Sequence, residues 1–261
     1  AYSELKKSEP SKSDFLRLIA EFPDFEFIDS AHMAVAEFEM EANRYDVAIK
    51  HLHEVEKNPE SGHFPYALQK LGWSYYNLKS FDKATGYLVK HIRLYQGLKA
   101  ADESEAQLNA SVIENSLSDL SLFYFDAFEA KADGYTIDKS LTFFHDIEKG
   151  PLFGKTYLRF AKLLKAHGHY EEIQQLKRMV LADYERLPET ADVVILVFDY
   201  EFGKRSFKNV KESTADILRI SRVASKEQKL AIEKSLIDSA KELQDLVIKN
   251  KKSQDVVLLS E

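Results

Sequence analysis

The chain has 261 residues, of which 44% are hydrophobic and 30% charged, and its formal net charge is −7. It is too polar for a membrane protein and too apolar for a disordered one, and its few glycines and prolines (nine and six) favour a helical protein. The absence of cysteine excludes disulfides, cysteine-bound zinc and iron–sulfur clusters. No apolar run is long enough to span a membrane, and the acidic composition argues against nucleic-acid binding.

The charges fall in alternating blocks along the chain. Residues 1–60 carry a net charge of −7 and residues 101–149 one of −8, whereas residues 61–100 carry +5 and residues 150–182 carry +4. Such blocks are typical either of solvated helix faces or of distinct binding zones along a surface, and the sequence leaves both open.

Residues 65–96 hold the clearest structural pattern, a pair of amphipathic helices separated by a break at 77–80. Apolar residues in each helix recur at the spacing of a single helix face. Gly72 and Ala84 are small where the two helices are expected to touch, which allows their axes to approach closely.

The same pattern recurs along the chain, with an aromatic or aliphatic anchor in each second helix. Four of the five units share a period of 33 to 37 residues, and about 20 additional residues are inserted around 99–117. The anchors are Tyr45, Phe81, Ile137, Tyr170 and Phe207. The predicted units are residues 29–60, 65–96, 117–148, 154–187 and 191–222, with terminal helices at 13–22 and 225–250.

The Leu-x2-Leu-Gly-x2-Tyr pattern of residues 68–75, followed by an aromatic residue and by an alanine three positions later, resembles the tetratricopeptide repeat. The resemblance implies an all-α fold, a right-handed superhelical solenoid of antiparallel helix pairs that runs as one domain over residues 1–261. With the terminal helices, about eleven to thirteen helices and no sheet are expected. Residues 64–84 are similar to envelope-associated tetratricopeptide proteins of Gram-negative bacteria, including the gliding-motility group.

A search for catalytic and metal-binding patterns finds little. Phosphate-binding loops, nucleophile elbows and zinc-protease motifs are missing from the sequence. His51 and His53 are two residues apart on a helix and point in different directions, so they cannot share a metal ion. His167 and His169 flank a glycine at a turn, where a surface metal site and ordinary turn histidines are both open. We therefore expect no enzymatic activity, no cofactor and no metal.

Three alternating glutamates, Glu37, Glu39 and Glu41, predict an exposed acidic edge rather than an acid–base pair. Nothing in the surrounding sequence indicates a hydrophobic pocket that would raise the pKa of one of them.

The best candidates for partner binding are first-helix residues that the repeat does not need for packing. In residues 65–96 these are Tyr66, Gln69, Trp73, Tyr76 and Asn77. Tryptophan and tyrosine supply large, rigid contact areas with a polar group, as a peptide-binding groove requires. The alternative is that Trp73 and Tyr76 pack on the neighbouring repeat.

A second candidate surface is a basic stripe on the first helix of residues 154–187. It consists of Lys155, Arg159, Lys162 and Lys165. The stripe is suited to an acidic partner segment or a chain-terminal carboxylate, and the alternative is a solvated helix face.

These observations predict a non-enzymatic scaffold in a bacterial envelope or motility complex, which binds a protein or peptide segment in its concave groove. Two alternatives remain: an outer-membrane or secretion assembly factor, and a carbohydrate- or peptidoglycan-associated binder. The expected location is the periplasm or cell envelope, with the cytoplasm as the alternative. The start at Ala1 and the apolar patch at 256–259 are interpreted as the ends of a fragment, so a signal peptide or lipid anchor would lie outside it.

Overall fold

The computed structural model describes residues 2–204, 207–222 and 224–249. In this part of the chain the secondary structure consists of α-helices without β-strands, which confirms the predicted all-α class. The helices are α1 (Tyr2–Glu21), α2 (Ile28–Glu41), α3 (Tyr45–Glu56), α4 (Phe64–Asn77), α5 (Phe81–Gly97), α6 (Glu103–Glu129), α7 (Ile137–Ile147), α8 (Leu152–Ala166), α9 (Tyr170–Asp183), α10 (Pro188–Gly203), α11 (Phe207–Ile220) and α12 (Lys226–Lys249).

The helices belong to two compact units, residues 1–135 and residues 136–261. Helices α1 to α6 lie in the first unit and α7 to α12 in the second. The third predicted helix pair is divided between them, since α6 ends the first unit and α7 begins the second. One continuous stack over the whole chain stays a prediction.

The predicted anchors mark helix starts. Each second helix of the five predicted pairs begins at its anchor residue. These starts are Tyr45, Phe81, Ile137, Tyr170 and Phe207. The predicted break at 77–80 likewise separates α4 from α5.

The turns that end α2, α4, α6 and α8 share one backbone geometry. Each contains a residue in the left-handed conformation, namely Asn43 (φ 57°), Lys79 (φ 58°), Lys131 (φ 55°) and Gly168 (φ 79°). After α4, the N–H of Ser80 donates to the carbonyl of Tyr75 at 2.9 Å, and the three other turns contain the equivalent bond. Such bonds satisfy the last free carbonyls of a helix and reverse the chain. The recurrence of the turn is independent evidence for a repeated helix pair.

Close approach of paired helices depends on small residues, as predicted. Gly72 of α4 is buried, and a Cβ atom placed on it would lie 3.2 Å from Cγ of Leu88 and 3.4 Å from the carbonyl oxygen of Ala84. The core around α2, α3 and α4 is built in the same way, with alanines at several buried positions. It contains Met33, Ala36, Ala48, Ile49, Leu52, Val55, Ala67 and Leu71.

The inserted residues form helix rather than loop. Helix α6 begins at Glu103, well before the predicted unit start at 117, and is 27 residues long. Two hydrogen bonds between side chains and backbone cap its start. The Glu105 N–H donates to Oδ1 of Asp102 at 2.9 Å, and the Ala101 N–H donates to Oε2 of Glu105 at 2.6 Å. This arrangement is a variant of the capping box, in which Glu105 accepts from the residue before the N-cap Asp102 rather than from Asp102 itself, and it fixes where the helix begins.

The terminal helices differ modestly from the prediction. Helix α1 spans Tyr2–Glu21, where the sequence predicts 13–22, and α12 spans Lys226–Lys249, where it predicts 225–250. Residue 250 and the apolar patch at 256–259 lie outside the described residues.

Candidate functional site

Trp73 and Tyr76, the predicted aromatic anchors on α4, both contact α6. The Trp73 indole N–H donates to Oδ2 of Asp119 at 3.1 Å, and its ring packs edge-on against Phe123 with centroids 5.0 Å apart. Tyr76 stacks on Phe123, and its hydroxyl donates to Asp126. Burial and the neighbouring Asp126 carboxylate raise the pKa of Tyr76. Both rings are half-buried within the first unit, so these contacts favour the packing alternative, and their role in partner binding stays a prediction.

The remainder of this face is more accessible. Tyr66 is 56% exposed and is therefore the aromatic residue of the predicted set with the most free surface. Gln69 is half-buried, and Asn77 is exposed, with its side-chain amide donating to the carbonyl oxygen of Trp73 at 2.8 Å.

The basic stripe lies on α8 and faces outward. One side of this helix is buried, while Lys155, Arg159 and Lys162 are exposed and Lys165 is half-buried. The sequence of α8 contains no acidic residue, so its outer face carries charge of one sign only. An extended row of cations attracts anionic segments and accelerates their association.

Two acidic residues of α10, which packs against α8, lie close to this helix: the Glu189 side chain lies against Gly154, and the charge of Asp192 interacts with that of Lys162. Burial raises the pKa of Asp192, while a hydrogen bond from Gln228 and the charge of Lys162 act in the opposite direction. The α8 stripe belongs to the second unit and the α4 face to the first, so each is a separate candidate surface.

The histidines are engaged in separate local contacts. His51 lies against His32, with their Nδ1 atoms 3.0 Å apart, and burial lowers the pKa of both rings. His53 instead contacts Oε2 of Glu56 at 2.8 Å. His169 lies 3.9 Å from Glu172. Among the residues that the structure describes, no group of three or more histidine and carboxylate side chains is arranged to hold a metal ion.

The predicted acidic edge on α2 is wrong at its centre. Glu37 and Glu41 are exposed, but Glu39 is only 3% exposed and accepts contacts from Lys12 at 2.7 Å and from Arg44. Residues two apart on a helix are separated by about 200°, so alternate positions cannot share one face. Glu39 points inward and joins α1 to α2 and to the following turn.

A buried polar network in the second unit was not predicted. Glu201 of α10 is 1% exposed and accepts hydrogen bonds from Tyr170, Gln174 and Ser213. Lys177 of α9, 4% exposed, donates to Ser213 at 3.0 Å and pairs with Asp216 at 2.8 Å. The sequence signal for it is weak, because the second half of α10 contains both Glu201, which is buried, and Asp199, which is exposed, and no local pattern distinguishes them.

Neither a protein-family model nor a curated protein sequence matches the chain. In the described part of the chain, no helix combines the length and apolar character that crossing a membrane requires.

Proposed function

We propose that the protein is a non-enzymatic scaffold that binds an acidic segment of a partner protein along the outer face of α8. The observation that carries the proposal is the one-signed charge of this face: Arg159 and Lys162 are exposed, and α8 itself contains no acid to neutralise them. The buried residues of α8 lie on its opposite side, so the hydrophobic packing of this helix does not involve Arg159 or Lys162.

The repeated helix pairs support a tetratricopeptide-like solenoid as the scaffold, in which stacked pairs bury what a single pair cannot. The recurring turn geometry and the second-helix anchors are the features on which this proposal rests. Its setting in a bacterial envelope or motility complex rests on the resemblance of residues 64–84 alone.

Binding to α8 can be measured with a short fluorescein-labelled peptide of glutamate and leucine. The variant Arg159→Glu/Lys162→Glu is expected to lose most of the anisotropy change at low salt, since it reverses the charge of the stripe. The matched control is Lys226→Glu/Lys229→Glu, which makes the same charge change at exposed positions on α12. Equal loss in both variants would show that only net charge matters and would refute an α8 site.

The biological partner can then be captured by a photo-crosslinking amino acid placed at position 162 in cells. The control position is 229, which is also exposed. Crosslinking at 162, but not at 229, to an envelope protein with an acidic segment is the expected result. Crosslinking from position 162 to a nucleic acid or to the substrate of a cytoplasmic enzyme would contradict the proposal.

A specific observation favours a second candidate, an assembly factor that holds client polypeptides. Phe22, Phe25 and Phe27, in the connection between α1 and α2, are exposed at 57%, 43% and 57%. Clustered exposed aromatic side chains are typical of surfaces that bind apolar segments. This candidate predicts that the protein slows aggregation of a denatured test protein, measured by light scattering, and that Phe25→Ser/Phe27→Ser abolishes the effect.

A further inference from the structure

The start of α6 projects beyond both of its neighbours in the first unit. His91 of α5 lies opposite Ser116 of α6, with Nδ1 and Oγ 3.0 Å apart. Because the two helices run antiparallel, the end of α5 at Gly97 is level with about residue 110 of α6. On the other side, Trp73 of α4 contacts Asp119. Since α4 and α6 run parallel, the start of α4 is level with about residue 110 as well.

The projecting segment, residues 98–108, is here named the arm. Its helical part, from Glu103, extends about 10 Å past the neighbouring helix ends at 1.5 Å per residue. Leu98 and Leu108 are 48% and 62% exposed. Asp102, Glu103 and Glu105 outweigh Lys99 and give the arm a net charge of −2, and α6 as a whole contains no lysine, arginine or histidine. The capping box at Asp102 and Glu105 holds this exposed segment as helix.

An apolar groove of about 580 Å³ lies at the same end of the unit, next to the end of α3, the start of α4 and the last turns of α5. Its apolar lining consists of Pro59, Phe64, Leu68, Val89 and Leu94. Lys90, Arg93 and Glu56 complete the lining. With Lys90 and Arg93 against Glu56, the groove lining has a formal charge of +1. The Glu56 carboxylate accepts from Lys90 at 3.2 Å and contacts His53 at 2.8 Å, and Arg93 donates to Oε1 of Gln96 at 3.1 Å.

The arm and the groove are complementary in shape and charge. One is a projecting helix with an apolar residue and acidic neighbours, and the other is an apolar concavity with a basic rim. We propose that the arm of one copy of this chain docks in the groove of a second copy, with Leu108 on the apolar floor and Glu103 near Lys90 and Arg93. Because both features lie at the same end of the unit, the exchange is reciprocal and closes as a two-fold dimer. This inference goes beyond the proposed function, and it uses no residue of α8.

The dimer is tested by sedimentation equilibrium of the full chain over a concentration series at low and high salt. The expected species has twice the 30.0 kDa chain mass, and its dissociation constant rises with salt because charged pairs are screened. Leu108→Ser is expected to weaken the dimer about tenfold or more, as loss of a central apolar anchor does. Circular dichroism should show full helicity in this variant, since Leu108 is exposed in the monomer.

A charge exchange makes the test specific. The arm variant Glu103→Lys/Glu105→Gln keeps an acceptor for the capping box, and the groove variant Lys90→Gln/Arg93→Glu makes the opposite charge change of equal size. Each variant alone is expected to be monomeric at concentrations where the wild type is a dimer. An equimolar mixture is expected to dimerise again, because each arm then meets a groove of opposite charge.

Three results would overturn the proposal. The first is a wild-type chain that remains monomeric at low salt and high concentration. The second is a dimer that Leu108→Ser does not weaken. The third is a failure of the two charge variants to associate when they are mixed. A control variant, Glu212→Lys/Glu233→Lys, changes exposed acids outside the first unit and should leave the dimer intact.

Discussion

Tyr76 of α4 lies flat on Phe123 of α6, with ring centroids 4.2 Å apart and ring planes 8° apart. Its hydroxyl donates to Asp126, which lies about one turn further along α6. Trp73 makes the analogous pair of contacts one turn earlier, with its ring perpendicular to that of Phe123 and its indole N–H on Asp119. Aromatic stacking combined with hydrogen bonds to carboxylates therefore joins α4 to α6, and this face of α4 contributes to the stability of the first unit.

Trp73→Ala is accordingly expected to lower the free energy of unfolding by about 2–3 kcal/mol, because it removes a half-buried aromatic ring and an indole hydrogen bond. Tyr66→Ala, on the same helix but at a 56% exposed position, is expected to change it by less than about 0.5 kcal/mol. Both values can be measured by urea denaturation. Similar values for the two variants would show that Trp73 is not packed on α6.

The role of Trp73 illustrates what the sequence could not decide. The helical spacing sets Trp73 apart from the packing positions of its own pair, and in the structure its side chain lies against α6. Whether that face meets a partner or the next helix depends on the register of α6, whose contact residue Asp119 is 46 positions away. The insertion before α6 breaks the repeat period there, so no periodicity could supply this register.

Gly72→Leu is expected to destabilise the protein by about 1–3 kcal/mol, because the added side chain would overlap Leu88 and the backbone of α5. Gly86 is the matched control. It also lies inside a helix, but apart from its chain neighbours and the backbone of its own helix no heavy atom lies within 4 Å of the position its Cβ would occupy. Gly86→Ala should therefore stabilise the protein by about 0.5–1 kcal/mol through helix propensity alone. An unchanged melting temperature for Gly72→Leu would contradict the packing of α4 on α5.

Local features of the pairs were predictable for a physical reason. Breaks and anchors are determined by residues a few positions apart, so the end of α4 and the start of α5 follow from the sequence. The length of α6 depends on Asp102 and Glu105, whose capping pattern lies inside the inserted segment and outside the repeat period. The buried network around Glu201 requires side chains from three helices and has no local pattern at all.

Burial gives the first unit a pH-dependent stability through His91. This ring is 3% exposed and contacts Ser116, and burial lowers its pKa to about 4. His91 in the unfolded chain therefore binds a proton below its ordinary pKa of 6.5, whereas His91 in the folded chain binds one only near pH 4 and below. The contribution to stability is complete above 6.5 and declines as the pH falls toward 4.

His91→Gln retains a hydrogen-bonding side chain and removes this titration. Between about pH 7.5 and pH 5, the wild type is expected to lose about 2 kcal/mol more than the variant, measured by urea denaturation at each pH. The half-buried histidines His32 and His51 also have lowered pKa values and titrate in both proteins, so the difference isolates His91. Equal losses in the two proteins would show that His91 is already charged, or exposed, in the folded state.

Lys177 and Glu201 are expected to be energetically coupled although they do not touch. Ser213 connects them, since its hydroxyl donates to Glu201 and accepts from Lys177. Lys177→Met should destabilise the second unit by about 3 kcal/mol, because it leaves the buried Glu201 and the partly buried Asp216 without a nearby cation. Glu201→Gln should destabilise it by about 1–3 kcal/mol, because an amide cannot accept every hydrogen bond that the carboxylate accepts.

The double variant is expected to be about 1 kcal/mol more stable than the sum of the two single changes predicts, because an unpaired buried charge is less favourable than the loss of both charges. A double-mutant cycle from urea denaturation of the four proteins measures this difference. Arg219 provides the reference for a surface pair: it contacts Glu185 at 2.6 Å and 2.8 Å but is exposed, so Arg219→Met should have a much smaller effect than Lys177→Met. Strictly additive effects at Lys177 and Glu201 would show that the hydrogen bonds of Ser213 do not couple the two charged side chains energetically.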